Sequence, residues 1–161
     1  MRPLLSLTCC LFVLALGVAS APSASFAAAH SDRKRPAPAP QAAPGERVAA
    51  LARSLVGVPY RSGGASPQAG FDCSGLVQYV YAKLGVALPH YSGALWRIGR
   101  PVETEMLTSG DLVFFDQAGH VGIYIGDGLF VHAPHAGARV RVDAVSWSWY
   151  GSTFDGARRV Y

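Results

Sequence analysis

Three side chains in this sequence are of the types that carry nucleophilic acyl transfer: Cys73 in "FDCSGLVQYVY", His120 in "HVGIYIG" and His132 in "LFVHA". A thiol attacks as the thiolate, so it needs a lowered pKa or a neighbouring base. Cys73 stands where a helix should begin. Leu76, Val77, Val80, Tyr81 and Leu84 recur at intervals of three and four, Gly85 ends the run, and Asp72 has the type and place of an N-cap. The first turn of a helix carries partial positive charge, which favours a thiolate. Asp72 opposes that effect electrostatically, so the base that activates the sulfur is expected elsewhere.

The histidines are the candidates for that base. Alternation in "HVGIYIG" puts Val121, Ile123 and Ile125 on one face of a strand and His120, Gly122, Tyr124 and Gly126 on the other. In "LFVHA", His132 alternates away from Leu129 and Val131. The "GDG" at 126–128 is a hairpin signal, and a hairpin brings the two imidazoles together across the strand pair. One can then take the thiol proton while the other fixes its tautomer and orientation. Taken singly, each histidine is an ordinary core or surface residue; together with a helix-capping cysteine they form a set. Cys and His are also zinc ligands, but no C-x-x-C or H-x-x-x-H pairing accompanies these three, and no metal or other cofactor is expected.

The elements that must position this set follow from the rest of the pattern. "ERVAALARSLVG" carries Val48, Leu51, Leu55 and Val56 at helical spacing, with Gly57 as its stop before Pro59. "VPYRSGGASPQAG" is a loop by its Gly, Ser and Pro content, and it leads into the cysteine helix. "LPHYSGALWRIGRPVETEMLTSG" reads as a connector with a short helix around Leu95. Beyond it, "DLVFF", "HVGIYIG", "LFVHA", "RVRVD" and "ARRVY" are short runs rich in Val, Ile, Phe and Tyr. Helices followed by strands predict an α+β domain, with N-terminal helices packed on an antiparallel sheet of about five strands.

The chain has 161 residues, 50% hydrophobic and 15% charged, which suits one domain with a real core and excludes general disorder. Arg2, the apolar run "LLSLTCCLFVLALGVA" and the small residues of "SAPSASFAAA" predict a cleaved signal peptide over 1–29. The run is short for a membrane span, so no stable membrane insertion is expected after cleavage. Cys9 and Cys10 lie inside the run rather than at its end, which argues against a lipid anchor. Removing 1–29 leaves Cys73 as a lone thiol and 13 basic against 10 acidic residues, a net +3. That bias suits an anionic polymer, while the scattered basic residues exclude a nucleic-acid partner. Residues 30–45, rich in Pro and Ala and holding "RKR" and His30, form a solvated linker ahead of a domain over 46–161.

"PYRSGG", "FDCSGLVQYVY", "SGDLVFF", "HVGIYIGDGLFVHA" and the closing "ARRVY" together resemble the NlpC-type family of bacterial cell-wall cysteine peptidases over residues 46–161. The resemblance implies a papain-like α+β fold and hydrolysis of amide bonds in the stem peptides of peptidoglycan or their cross-links, in a periplasm or outside the cell. By position it makes Cys73 the nucleophile, His120 the general base and then acid, and His132 the orienting residue. Tyr60 would help the Cys73 backbone N–H hold the oxyanion. Asp72 and Ser74, on either side of the thiol, join Tyr60 among the positioning residues. A regulatory protein partner fits such an enzyme, and a non-catalytic peptidoglycan-binding module on the same fold is the alternative. Two positions depart from the family pattern and are expected to line the substrate groove: Ser62, where an aromatic is frequent, and His90, where an arginine is common. Trp147, Trp149 and Tyr150 read as core, with a groove wall as the alternative, and His135, in a "PHAG" turn, as exposed.

Overall fold

The structure, a computed structural model, describes residues 42–161. The expected signal peptide, His30 and the "RKR" cluster lie outside the described residues. In chain order the elements are α1 (Pro44–Ser54), β1 (Ala65–Ser66), β2 (Gly70–Phe71), α2 (Cys73–Lys83), α3 (Ser92–Leu95), β3 (Arg100–Val102), a 3-10 turn (Thr104–Met106), β4 (Leu112–Phe115), β5 (His120–Gly126), β6 (Leu129–His132), β7 (Arg141–Ala144), α4 (Ser148–Ser152) and β8 (Phe154–Arg159).

Helix α1 opens at Pro44, two residues inside the expected linker, because proline is tolerated in the first turn, where its missing N–H costs no bond. Its buried face is Val48, Ala49 and Ala52, continued by Leu55. Val56, expected on that face, is 46% exposed because the helix has ended by then. Helix α2 runs as expected and buries Leu76, Val77, Val80 and Tyr81. Both helices pack on β5.

The main sheet has six antiparallel strands in the order β3-β8-β4-β5-β6-β7, and β1 pairs with β2 in a separate hairpin. The sixth strand, β3, falls in the segment read as a connector. It has three residues, two of them exposed, and holds Pro101, which suits an edge strand and gives no alternation to read. The β5–β6 hairpin turns at Asp127 and Gly128 with φ of 55° and 72°, the paired positive angles of a type I′ turn.

Each face of the sheet has its own core. Val121, Ile123, Ile125, Leu112 and Phe114 meet the helices. On the other face, Val113, Phe115, Tyr124, Phe130, Tyr150 and Ala157 form a second cluster. The histidine face of β5 is therefore apolar as well, and it buries His132 completely and leaves His120 9% exposed.

Candidate active site

The position of Cys73 begins with a cap. Asp72 has extended backbone, and its Oδ1 accepts from the Gly75 N–H at 2.7 Å, which ends the preceding loop and starts α2 with Cys73 at the first helical position. The same carboxylate accepts from Ser74 Oγ at 3.2 Å and His90 Nε2 at 2.7 Å, while its other oxygen takes the Gly63 N–H at 2.8 Å. Burial acts to raise the Asp72 pKa, but the bonds from Gly75, His90 and Gly63 outweigh it and hold the carboxyl below its usual range. Gly75 must be glycine, since a Cβ there would lie 2.0 Å from the Gly64 carbonyl oxygen of the loop packed on the helix. Ser74 and His90 thus serve the cap. His90 is partly exposed beside the cap, and Ser62 is exposed on the adjoining loop.

The backbone N–H groups of Val121, at the start of β5, and of Ser74 and Cys73 act to lower the Cys73 thiol pKa. The expectation of a thiol acidified by the helix terminus is overturned: burial, then the Asp72 charge, push the thiol pKa up, and the N–H groups only partly offset them. Tyr60, tethered by its N–H to the Ala138 carbonyl, lies close enough that the Cys73 and Asp72 charges, after burial, raise its hydroxyl pKa. Iodoacetamide should accordingly alkylate Cys73 with a pH midpoint above the ordinary thiol value of 9.0. Asp72→Asn removes the charge but keeps a capping oxygen. Its expected outcome is a midpoint shifted to lower pH, with melting showing about 1–3 kcal/mol of lost stability, because the amide that replaces Oδ2 faces the Gly63 N–H donor.

His120 and His132 meet as the alternation predicts. In the antiparallel register Ile123 pairs with Val131 and Tyr124 with Phe130, so His132 falls opposite Gly122 and diagonal to His120. Gly122 leaves room for the Phe130 ring, 2.4 Å from where a Cβ would stand. His120 Nε2 lies 2.8 Å from His132 Nδ1, and His132 Nε2 lies 2.9 Å from Asp143 Oδ2. That oxygen also accepts from Arg141 Nε at 2.7 Å. Burial, then the neighbouring His132 and His135, lower the His120 pKa to about 3. Burial lowers that of His132 to about 4, although its bond to Asp143 opposes the shift. At neutral pH the site therefore rests as thiol and neutral imidazoles, not as a preformed ion pair.

The turn before His120 is strained. Asp116, Gln117 and Ala118 have φ of 57°, 56° and 60°, which costs L-residues on the order of 1 kcal/mol each. Bonds from the Asp116 N–H to the Thr153 carbonyl and from the Ala118 N–H to Asp155 Oδ2 hold it, so β8 fixes where His120 enters the sheet.

Asp143 and Arg141 were not singled out from the sequence. The signal was the alternation in "RVRVD", which places both on one strand face, but their partner depends on β7 pairing with β6. A cleft of about 460 Å3 opens beside His120, lined by Pro134, Arg141, Trp147, Ser148 and Trp149 among others. Trp147 and Trp149, expected in the core, are 57% and 46% exposed and form its wall, whereas Tyr150 is buried against both imidazoles. A five-residue helix packs only one of the three aromatics inward. His135 is exposed at the rim, its Nδ1 donating to the Ala136 carbonyl.

The NlpC/P60 family profile matches residues 57–159. "Probable endopeptidase Rv2190c" of Mycobacterium tuberculosis is 48% identical over 122 residues, which cover 74% of this chain and 31% of that protein. Murein DD-endopeptidase MepH of Escherichia coli is 40% identical over 113 residues, covering 65% and 42%. The chain spans less than half the length of these two relatives. Among solved structures, the NlpC/p60 domain of peptidoglycan hydrolase SagA superposes with a TM-score of 0.66 at 33% identity, over 73% of this chain and 100% of that one.

Proposed function

Since the chain belongs to the NlpC/P60 family, we propose that it is a peptidoglycan endopeptidase hydrolysing amide bonds in stem peptides or their cross-links, with Cys73 as nucleophile, His120 as general base and acid, and His132 as the orienting residue. The observation that carries this reading is the hydrogen-bonded line from Asp143 through His132 to His120, which ends at the start of β5, the strand on which the cysteine helix α2 packs.

In the first step the Cys73 sulfur bonds to the scissile carbonyl carbon as its proton passes to His120, and the carbonyl π electrons move onto oxygen. In this reading the Cys73 backbone N–H and the Tyr60 hydroxyl donate to that oxyanion. The oxyanion collapses, the C–N bond breaks, and His120 returns the proton to the leaving amine. Water then attacks the thioester with His120 as base, releasing a carboxylic acid and restoring the thiol. Because thiol and imidazole both rest neutral, the proton moves as the substrate is attacked. The cleft walled by Trp147 and Trp149 gives a peptide an approach to His120.

The substrate places the enzyme at the cell wall, and we read residues 1–29 as the export signal and the segment up to α1 as its tether. A binding-only module would have no use for a buried imidazole pair with a carboxylate behind it. The test is clearing of a peptidoglycan suspension by the protein before and after alkylation of Cys73. Clearing that stops on alkylation supports the reading; clearing that continues overturns it.

A further inference from the structure

We propose that Asp143 is a positioning residue that sets the proton arrangement of both imidazoles, so that the Nδ1 atom of His120 is the one that accepts the thiol proton. This rests on the reading of His120 as the base, and it follows from what each atom in the line can donate or accept.

Asp143 Oδ2 accepts from Arg141 Nε, which has only a proton to give, at 2.7 Å, and the same carboxylate oxygen faces His132 Nε2 at 2.9 Å. His132 Nε2 must therefore carry the proton of that bond. A neutral imidazole carries one N–H, so His132 Nδ1 holds a lone pair. The atom facing that lone pair at 2.8 Å is His120 Nε2, which must donate. His120 in turn has its single proton on Nε2, and Nδ1 is left as the only ring atom able to accept one.

The surroundings hold this order in place. His132 is fully buried and walled by Phe130, with ring centroids 4.5 Å apart, and by Tyr150 at 5.0 Å, so no water replaces Asp143 as its partner. Burial disfavours the imidazolium form of both rings, which keeps the one-proton argument valid through neutral pH. The cross-strand register makes the line an outcome of the fold: β7 pairs Arg141 with His132 and Asp143 with Phe130, which sets the carboxylate diagonal to the His132 ring. If His132 instead carried its proton on Nδ1, His120 Nε2 would accept, its proton would sit on Nδ1, and it would have no lone pair for the thiol. When His120 does take the thiol proton, the half-buried Asp143 charge at the end of the line stabilises the new positive charge without taking a proton itself.

The test pairs kinetics with a readout that does not depend on turnover. Imidazole 15N spectra of the wild-type protein near neutral pH should place the proton on Nε2 of both His120 and His132. Asp143→Leu, similar in size and without an acceptor, should lower kcat about 100-fold or more with KM little changed. Asp143→Asn, which keeps an oxygen in the same place, should recover at least about tenfold of that loss. Alkylation of Cys73 at a pH where the thiol is fully ionised should be equally fast in wild type and Asp143→Leu, because no base is then needed. Nδ1 protonation in the wild type, or an Asp143→Leu kcat equal to wild type, overturns the assignment. Should Asp143→Leu fail to fold, the wild-type spectrum alone decides. The two readings fail separately: activity surviving in Cys73→Ala or His120→Gln removes the proposed hydrolase, whereas their inactivity beside a fully active Asp143→Leu removes only the role of Asp143.

Discussion

Replacing Cys73 with alanine should reduce the release of peptide fragments from peptidoglycan by a factor on the order of 10^4 to 10^6, the range found when the nucleophile of a covalent hydrolase is removed. Nothing else near the start of α2 can take its place: the Ser74 hydroxyl donates to Asp72, and the Tyr60 hydroxyl is pushed further from ionisation by burial and by the Cys73 and Asp72 charges. The substitution should leave the fold alone. Cys73 is only partly buried, and the cap that starts the helix belongs to Asp72. Fragment release and thermal melting measured on the same preparation check both halves. Activity within tenfold of wild type in a folded Cys73→Ala protein would leave the chemistry without its nucleophile.

His120→Gln should cost about 10^3-fold or more in kcat, because the thiol rests protonated and its pKa is raised by burial and by Asp72, so thiolate present without a base is scarce. The pH dependence has a definite sign. Burial first, then His132 and His135, depress the His120 pKa from 6.5 to about 3, so the ring stays unprotonated and competent as a base far below the usual imidazole range. The acid limb of kcat/KM should then fall well below pH 6.5. Stability follows the same shift. Folded-state pKa values of about 3 for His120 and about 4 for His132 lie below the unfolded 6.5, so the stabilisation from neutral imidazoles is complete above pH 6.5 and is lost as pH falls toward those values. Each ring contributes a slope of at most about 1.4 kcal/mol per pH unit in that window, and His120→Gln should remove its share. Chemical denaturation at pH 7 and pH 5, in wild type and variant, measures it. An acid limb near 6.5 would mean that burial does not depress the His120 pKa.

The helix and the hairpin were legible because their signals are local. An acid followed by a run at three-and-four spacing gives the Asp72 cap and α2, and strict alternation around "GDG" brings His120 and His132 to one face. What the sequence did not yield depends on tertiary context. The direction of the Cys73 pKa shift turns on how completely the sheet and helices exclude water from the sulfur, which no spacing encodes. Asp143 sits in a recognised strand, yet its partnership with His132 needs the β6–β7 register. His90 is 18 residues from Asp72, and the bond between them exists only once the connector folds back over the start of α2. The strand β3 shows no alternation because it is short, exposed and at the edge. Trp147 and Trp149 obeyed the statistical preference of aromatics for cores only in part, since the short α4 has one inward face and Tyr150 occupies it.

The pairing of Asp72 with Cys73 sets two demands against each other. The carboxylate organises the loop, the cap and the first turn through four hydrogen bonds, and its charge makes the thiol harder to ionise. In the proposed mechanism His120 meets the second demand by taking the proton as the thiol attacks, so no standing thiolate is needed. A thiol kept protonated between turnovers is also less exposed to oxidation, which acts on the thiolate.

The most direct test of the central claim is mass spectrometry of the soluble fragments released when purified peptidoglycan is incubated with the protein, run beside Cys73→Ser. Fragments are expected from the wild type alone, each cut adding one water across an amide bond of a stem peptide or cross-link, with masses that identify the bond. The same fragments from Cys73→Ser, or none from the wild type on walls of several chemistries, would contradict that claim.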